Sequence, residues 1–288
     1  MKKYFRFILS TLAVMAVTAS AFAQPLSDAA AERLQLARTT ANQALATYSA
    51  HYPDRPLWQE TFAYIEEAIS LAPDNPEVHR FQAIAHTMAN WYGPAWDMWQ
   101  DYLARGWQLD AEATQYFVEA GHRTGYNLYS QGNKEGALSV YLGVIDEVPF
   151  DLEAVSWAGR ILMELDRPAQ AISYWSTVAE RDPTDTRAVY FRDLARDQAR
   201  WGTDAANAFR EGVSFYEAGS FTEARERFSR ATVLNEGYAE AWAWLGRVEF
   251  EAGNFADARG YYGRAVDIEP AFDTYRYFYE EAGRRMAD

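Results

Sequence analysis

Residues 239–272 read AEAWAWLGRVEFEAGNFADARGYYGRAVDIEPAF, and this stretch decides the fold. Its skeleton is Trp242, Leu245, Gly246, Phe250, Gly253, Phe255, Ala258, Tyr262, Ala265, Ile268 and Pro270. Moving back 34 residues lands on 205–238, where Gly212, Gly219, Phe221, Ala224, Phe228, Ala231 and Leu234 stand in matching places. So many positions sharing one fixed lag make the segment a repeat. Two further units abut at the same lag. Residues 118–151 carry Gly125, Leu128, Gly132, Ala137, Tyr141 and Pro149, and residues 152–185 carry Gly159, Leu162, Ala171, Trp175 and Pro183. Weaker copies lie at about 76–109 (Ala83, Tyr92, Ala95, Trp99) and 36–75 (Ala68, Leu71, Pro73).

These residues resemble the tetratricopeptide repeat, in which about 34 residues form two antiparallel helices. Physical chemistry accounts for the residue choice. Gly212 and Gly246 let the second helix approach closely, and Ala224 and Ala258 keep the hairpin crossing tight. Gly219 and Gly253 end the first helix in a backbone conformation that other residues avoid. Phe228 and Tyr262 fill the space between neighbouring repeats, and Pro270 stops the second helix. The expected fold is therefore all-α: a right-handed superhelical solenoid of about six helix-turn-helix repeats, closed by a capping helix at Asp273–Ala287.

The period breaks twice. About eight extra residues fall around Leu109–Phe117. A longer surplus, Thr186–Asp204, reads as a lone helix followed by Trp201-Gly202-Thr203, with Arg192 and Asp193 where a repeat wants Leu and Gly. The expected organisation is an N-terminal array over 24–185, an extra helix and hinge or rigid connection over 186–204, and a C-terminal array with its cap over 205–288. Residues 1–23 precede these: Lys2, Lys3 and Arg6, an apolar run from about Phe7 to Val17, then Ala21-Phe22-Ala23. That is the pattern of a secretory signal peptide cleaved after Ala23. It predicts a chain exported from a bacterial cytoplasm to the periplasm or cell envelope, or secreted, with no transmembrane segment after cleavage.

The 288 residues carry 27 Lys plus Arg against 41 Asp plus Glu, and removing three cations with the leader would take the net charge from −14 to −17. Such a balance argues against nucleic acid, whose binders need a basic face. With no cysteine there is no disulfide, thiolate metal site or cysteine nucleophile. No G-x-S-x-G elbow, H-E-x-x-H pair, phosphate loop or EF-hand loop occurs. His79 and His86 are seven residues apart, where a metal pair wants four. The reading is no catalytic residue, no metal and no cofactor.

What remains is surface. Trp157, Arg160 and Glu164 recur as Trp244, Arg247 and Glu251 on one helical stripe of the first helix of their hairpins. Equivalent faces hold His122, Arg123, Tyr126 and Tyr129, then Phe209, Arg210, Val213 and Tyr216. These residues are the candidate concave binding groove, aromatic and arginine-bearing, whereas Trp99, Trp175 and Trp242 fall at seam positions and read as core. The resemblance implies recognition of a protein or peptide partner. Relatives that clamp a C-terminal carboxylate do so with paired Lys and Asn, and here Arg123, Arg160, Arg210 and Arg247 stand without the asparagines. Arginine also holds carboxylates, so these side chains point to acidic or C-terminal groups on the partner. The function expected is a non-enzymatic scaffold of the cell envelope, serving its assembly or maintenance. The alternative is an envelope polysaccharide binder using Trp157, Trp244 and the aromatic cluster Trp91–Trp107.

Overall fold

The computed structural model describes residues 25–287, so the leader read at 1–23 lies outside the described residues. Among the described residues the secondary structure is fourteen helices and no strand. The chain divides into two compact units, one ending at Tyr116 and the other beginning at Phe117. The first contains α1 (Asp28–Thr47), α2 (Pro56–Leu71), α3 (Pro76–Met88) and α4 (Tyr92–Ala104), and α5 (Ala111–Ser130) runs across the division. The second continues with α6 (Lys134–Glu147), α7 (Leu152–Glu164), α8 (Pro168–Arg181), α9 (Thr186–Trp201) and α10 (Thr203–Glu217). It ends with α11 (Phe221–Leu234), α12 (Ala239–Glu251), α13 (Phe255–Ile268) and α14 (Asp273–Arg285).

Local chemistry sets the helix ends. Asn133 and Asp151 accept the backbone N–H of Gly136 and Ala154, at 3.0 and 2.8 Å, capping α6 and α7. Pro56, Pro76 and Pro168 open α2, α3 and α8, at the one helical position where a missing N–H costs nothing. Gly219 and Gly253 adopt φ of 76° and 80° at the tips of the last two hairpins, as the repeat pattern requires.

Small residues then lock the hairpins. A Cβ placed on Gly125, Gly159, Gly212 or Gly246 would come within 2.7–2.9 Å of Tyr141, Trp175, Phe228 or Tyr262 respectively. Each aromatic ring sits directly on helix backbone, and each is buried. Ala137, Ala171, Ala224 and Ala258 at the crossings are fully buried. Burying one such ring contributes roughly 2–3 kcal/mol, so the repeat has energetic content at every period. Trp99 and Trp175 are core, as expected from their positions. Trp242 is not fully so: it is half-buried, stacks on Tyr261 and donates its indole N–H to the Glu236 carbonyl.

The irregular helix has a simple place in this scheme. Helices α6, α7 and α8 begin and end at 134–147, 152–164 and 168–181, and α11, α12 and α13 at 221–234, 239–251 and 255–268. Every boundary is displaced by 87 residues. α9 corresponds to α14 at the same displacement, and α10 to the C-terminal part of α5. The second unit is thus two copies of a five-helix module, each made of two hairpins and one closing helix. α9 closes the first copy against α8 and also packs on α10 of the second, inside this unit. Phe191 of α9 stacks on Trp175, and Phe278 of α14 stacks on Tyr262, with centroids 4.8 and 5.3 Å apart.

Candidate functional site

The Trp–Arg–Glu stripe forms two matching clusters. In the first, Trp157 lies between three tyrosines: parallel to Tyr141, and edge-on to Tyr126 and Tyr129. The Arg160 guanidinium covers the Trp157 and Tyr129 rings at 5.2 and 5.3 Å. Its Nε donates to Glu164 Oε1 at 3.0 Å, and one terminal nitrogen donates to the Tyr129 hydroxyl. That hydroxyl donates in turn to Glu164 at 2.8 Å, and Lys134 adds an ion pair at 3.1 Å. Burial alone would raise the Glu164 carboxyl, but bonds from Arg160, Tyr129 and Lys134 outweigh it and hold the group below its usual range. Tyr129 is shifted upward by burial and by its carboxylate partner.

The second cluster repeats the geometry. Arg247 covers Tyr216 and Trp244 at 4.9 and 5.0 Å and donates to Glu251, which also accepts from Tyr216. Trp244 stacks on Phe228 and meets Tyr216 edge-on. Phe221 stands where the first copy has Lys134, so Glu251 has one cation instead of two.

Not every expected groove residue joins these clusters. Phe209 is a core residue, 7% exposed, packed against Phe228 and Tyr238. The reason is α9, whose Trp201 stacks on Tyr238 and closes that side. Arg210 turns toward the same helix, binding Asp197 at 2.7 Å and covering Tyr190. Its counterpart Arg123 is exposed, as is Tyr126. Arg160, Arg210 and Arg247 are therefore each neutralised by a carboxylate of their own chain, and none is held ready as a carboxylate clamp. The 91–107 aromatics divide likewise: Trp96, Trp99 and Tyr102 are buried, and Trp91 is exposed.

Two cavities border the clusters, and sequence reasoning missed part of their walls. One, of about 800 Å³, lies among Trp157, Arg160, Trp175, Phe191 and Glu153. The other, of about 430 Å³, lies among Trp244, Arg247, Tyr262, Phe278 and Glu240, the same five positions 87 residues on. Glu240 is raised above the usual carboxylate range by burial and then by Asp197, with Glu269 adding to it. Comparing the chain with itself at a lag of 87 would have exposed Phe191 and Phe278. The 34-residue period hides them, because they lie on the closing helices.

A tetratricopeptide repeat family model matches residues 122–192 and 203–272. The chain is a tetratricopeptide repeat protein. No curated protein matches it. Among solved structures it is similar to MamA protein, at 21% identity over 58% of this chain and 86% of that one, with a TM-score of 0.26. YrrB, described as a TPR protein with an unusual peptide-binding site, is 18% identical over 74% and 96%, with a TM-score of 0.31. A tetratricopeptide repeat protein from Parabacteroides merdae is 11% identical over 89% and 99%, with a TM-score of 0.40. Of the described helices, none is long and apolar enough to cross a membrane.

Proposed function

We propose that this tetratricopeptide repeat protein is an exported, non-enzymatic scaffold that holds a protein or peptide partner of the cell envelope against residues 117–288. The observation that carries the reading is the recurrence of one constellation: Tyr129, Trp157, Arg160 and Glu164, then Tyr216, Trp244, Arg247 and Glu251. Such networks cost side-chain entropy to order, and a packed core needs neither exposed arginines nor half-exposed tryptophans. A rigid aromatic face with its arginine fixed on top is the composition of an interface anchor. Export and the envelope setting rest on the leader-like sequence 1–23.

Two measurements test this. The tagged chain should capture a protein from an envelope extract, and Trp157→Ala with Trp244→Ala should abolish the capture in a chain whose circular dichroism is unchanged. Mass spectrometry of the exported fraction should find a mature N-terminus at Gln24. Co-sedimentation of the purified protein with peptidoglycan, without any protein partner, would instead support the polysaccharide alternative and overturn the choice of partner.

A further inference from the structure

We infer that the second unit is a two-site receptor for one extended basic peptide, whose two aromatic or large apolar side chains occupy the equivalent cavities. The inference deepens the proposed scaffold role and rests on it.

Duplication makes the sites equivalent. In each copy the floor is a stacked aromatic pair, Trp175 on Phe191 and Tyr262 on Phe278, and one wall is the arginine-covered tryptophan. Such walls accept a flat or branched apolar side chain.

The cavities are also joined. A third one, of about 420 Å³, shares Met163 and Glu164 with the first and Trp201 with the second. Two lie along α9 and the third meets its last residue, Trp201: the N-cap Asp185 with Arg187 and Phe191 of its N-terminal half line the first cavity, and Asp197, Arg200 and Trp201 of its C-terminal half line the second. With a rise of 1.5 Å per residue, those halves are roughly 15–20 Å apart. An extended chain covers that distance in about five or six residues. The anchors should therefore be about six residues apart.

Charge selects the rest of the ligand. The arginines lining both cavities are bound to carboxylates: Arg160 to Glu164, Arg187 to Asp185, Arg200 to Glu269 and Arg247 to Glu251. The carboxylate left over is the same in both copies. Glu153 meets only the His122 imidazole at 3.4 Å, and Glu240 has no ion pair among the described residues. The connecting cavity adds Asp166 and Asp204 and no cation. In a chain with a net charge of −14, this path favours lysine and arginine between the anchors.

A synthetic heptapeptide with phenylalanine at both ends, and lysines around a central glycine, is the probe. Calorimetry with the full chain should give one peptide per protein, and the indole N–H signals of both Trp157 and Trp244 should move together in a nitrogen–proton spectrum. Replacing either phenylalanine with alanine should weaken binding at least ten-fold, since the second anchor binds intramolecularly. Trp157→Ala or Trp244→Ala should remove that advantage, and the exposed change Glu153→Arg should weaken the probe without affecting the fold. A peptide with glutamates in place of lysines should not bind. Movement of one indole only, indifference to the second phenylalanine, or equal binding of the acidic peptide would overturn the inference. If the probe fails in any of these ways while envelope capture still depends on Trp157 and Trp244, the scaffold role stands and only this two-site basic ligand falls.

Discussion

Trp157 lies flat on Tyr141, with ring planes 3° apart and centroids 5.6 Å from each other. Tyr141 in turn presses on Gly125. The candidate interface residue is thus the outer layer of the hairpin's own packing, and the same holds for Trp244 on Phe228 over Gly212. The pair serves two ends at once: it holds the hairpins together and presents a fixed aromatic face.

This sets a stability order. Trp175→Ala empties a buried site against Gly159 and should cost roughly 3–5 kcal/mol. Trp157→Ala and Trp244→Ala each remove a half-buried ring and one parallel stack, about 1–2 kcal/mol. Urea unfolding of the three variants checks the order. Equal losses at all three positions would make the stripe core and nothing more.

Glycines offer an internal control. Gly159→Ala and Gly246→Ala place a methyl 2.9 and 2.8 Å from the rings of Trp175 and Tyr262, and such overpacking costs about 1–3 kcal/mol. Gly260, exposed within α13, has nothing within 4 Å of the added carbon. There alanine should stabilise by about 0.5–1 kcal/mol through helix propensity alone. Thermal melting of the three single variants should show two losses and one gain.

The contact of Gly246 with Tyr262 was legible in the sequence because both residues belong to one 34-residue unit, where a small residue and a ring recur at fixed spacing. Helix ends were legible for the same local reason: Gly219 and Gly253 act within a turn. Phe209 was misread because its burial depends on α9, which the repeat period does not describe. The partner of Arg210 is Asp197 on that same helix. Glu249 shows the limit again: a glutamate 2% exposed, bound by Arg225 of the preceding hairpin, with no local signal for its burial. Contacts between modules need the 87-residue duplication, and a short-period reading passes over it.

One half-buried pair that differs between the two copies is titratable, and pH should separate them. His122 binds Asp151 at 2.9 Å, where the second copy has Phe209 against Tyr238. Burial pulls the imidazole down, but the bond and charge of Asp151, with Glu153 adding and Arg123 opposing, leave it above its ordinary 6.5. Burial raises Asp151, and the His122 and Ala154 bonds more than offset this, leaving it below 3.8. The histidine contribution is complete below pH 6.5 and is lost as pH rises through the raised value. The aspartate contribution is complete above pH 3.8 and is lost as pH falls through the lowered one. Both are present only in the mildly acidic window between. Replacing the pair with its counterpart, His122→Phe with Asp151→Tyr, exchanges an ion pair and an N-cap worth about 1 kcal/mol for a pH-independent aromatic contact. The advantage of the wild type over this variant in urea midpoint should therefore shrink between pH 5.5 and pH 8.5. A pH-independent difference would remove the ion pair from the account.

The closing helix of the second copy should act as a lid on the repeats beneath it. Phe278 of α14 covers Tyr262, and Phe250 meets Phe278 edge-on, so α14 shields the seam between α12 and α13. In α9 the residues that reach the next module include Tyr190, Asp197, Gln198, Arg200 and Trp201. The position of α14 equivalent to Asp197 is Arg284, which instead binds Glu281 on its own helix. At this position α14 therefore carries a charge satisfied within its own helix, where α9 carries one that docks on the next module. Ending the chain after Phe272 should leave the seam open. Amide exchange in α12 and α13 should then speed by orders of magnitude while α6 to α8, closed by α9, keep their protection. Phe278→Ala should show the same pattern more weakly. Uniform loss of protection across both copies would mean that the second unit unfolds as one block, and that α14 is no lid.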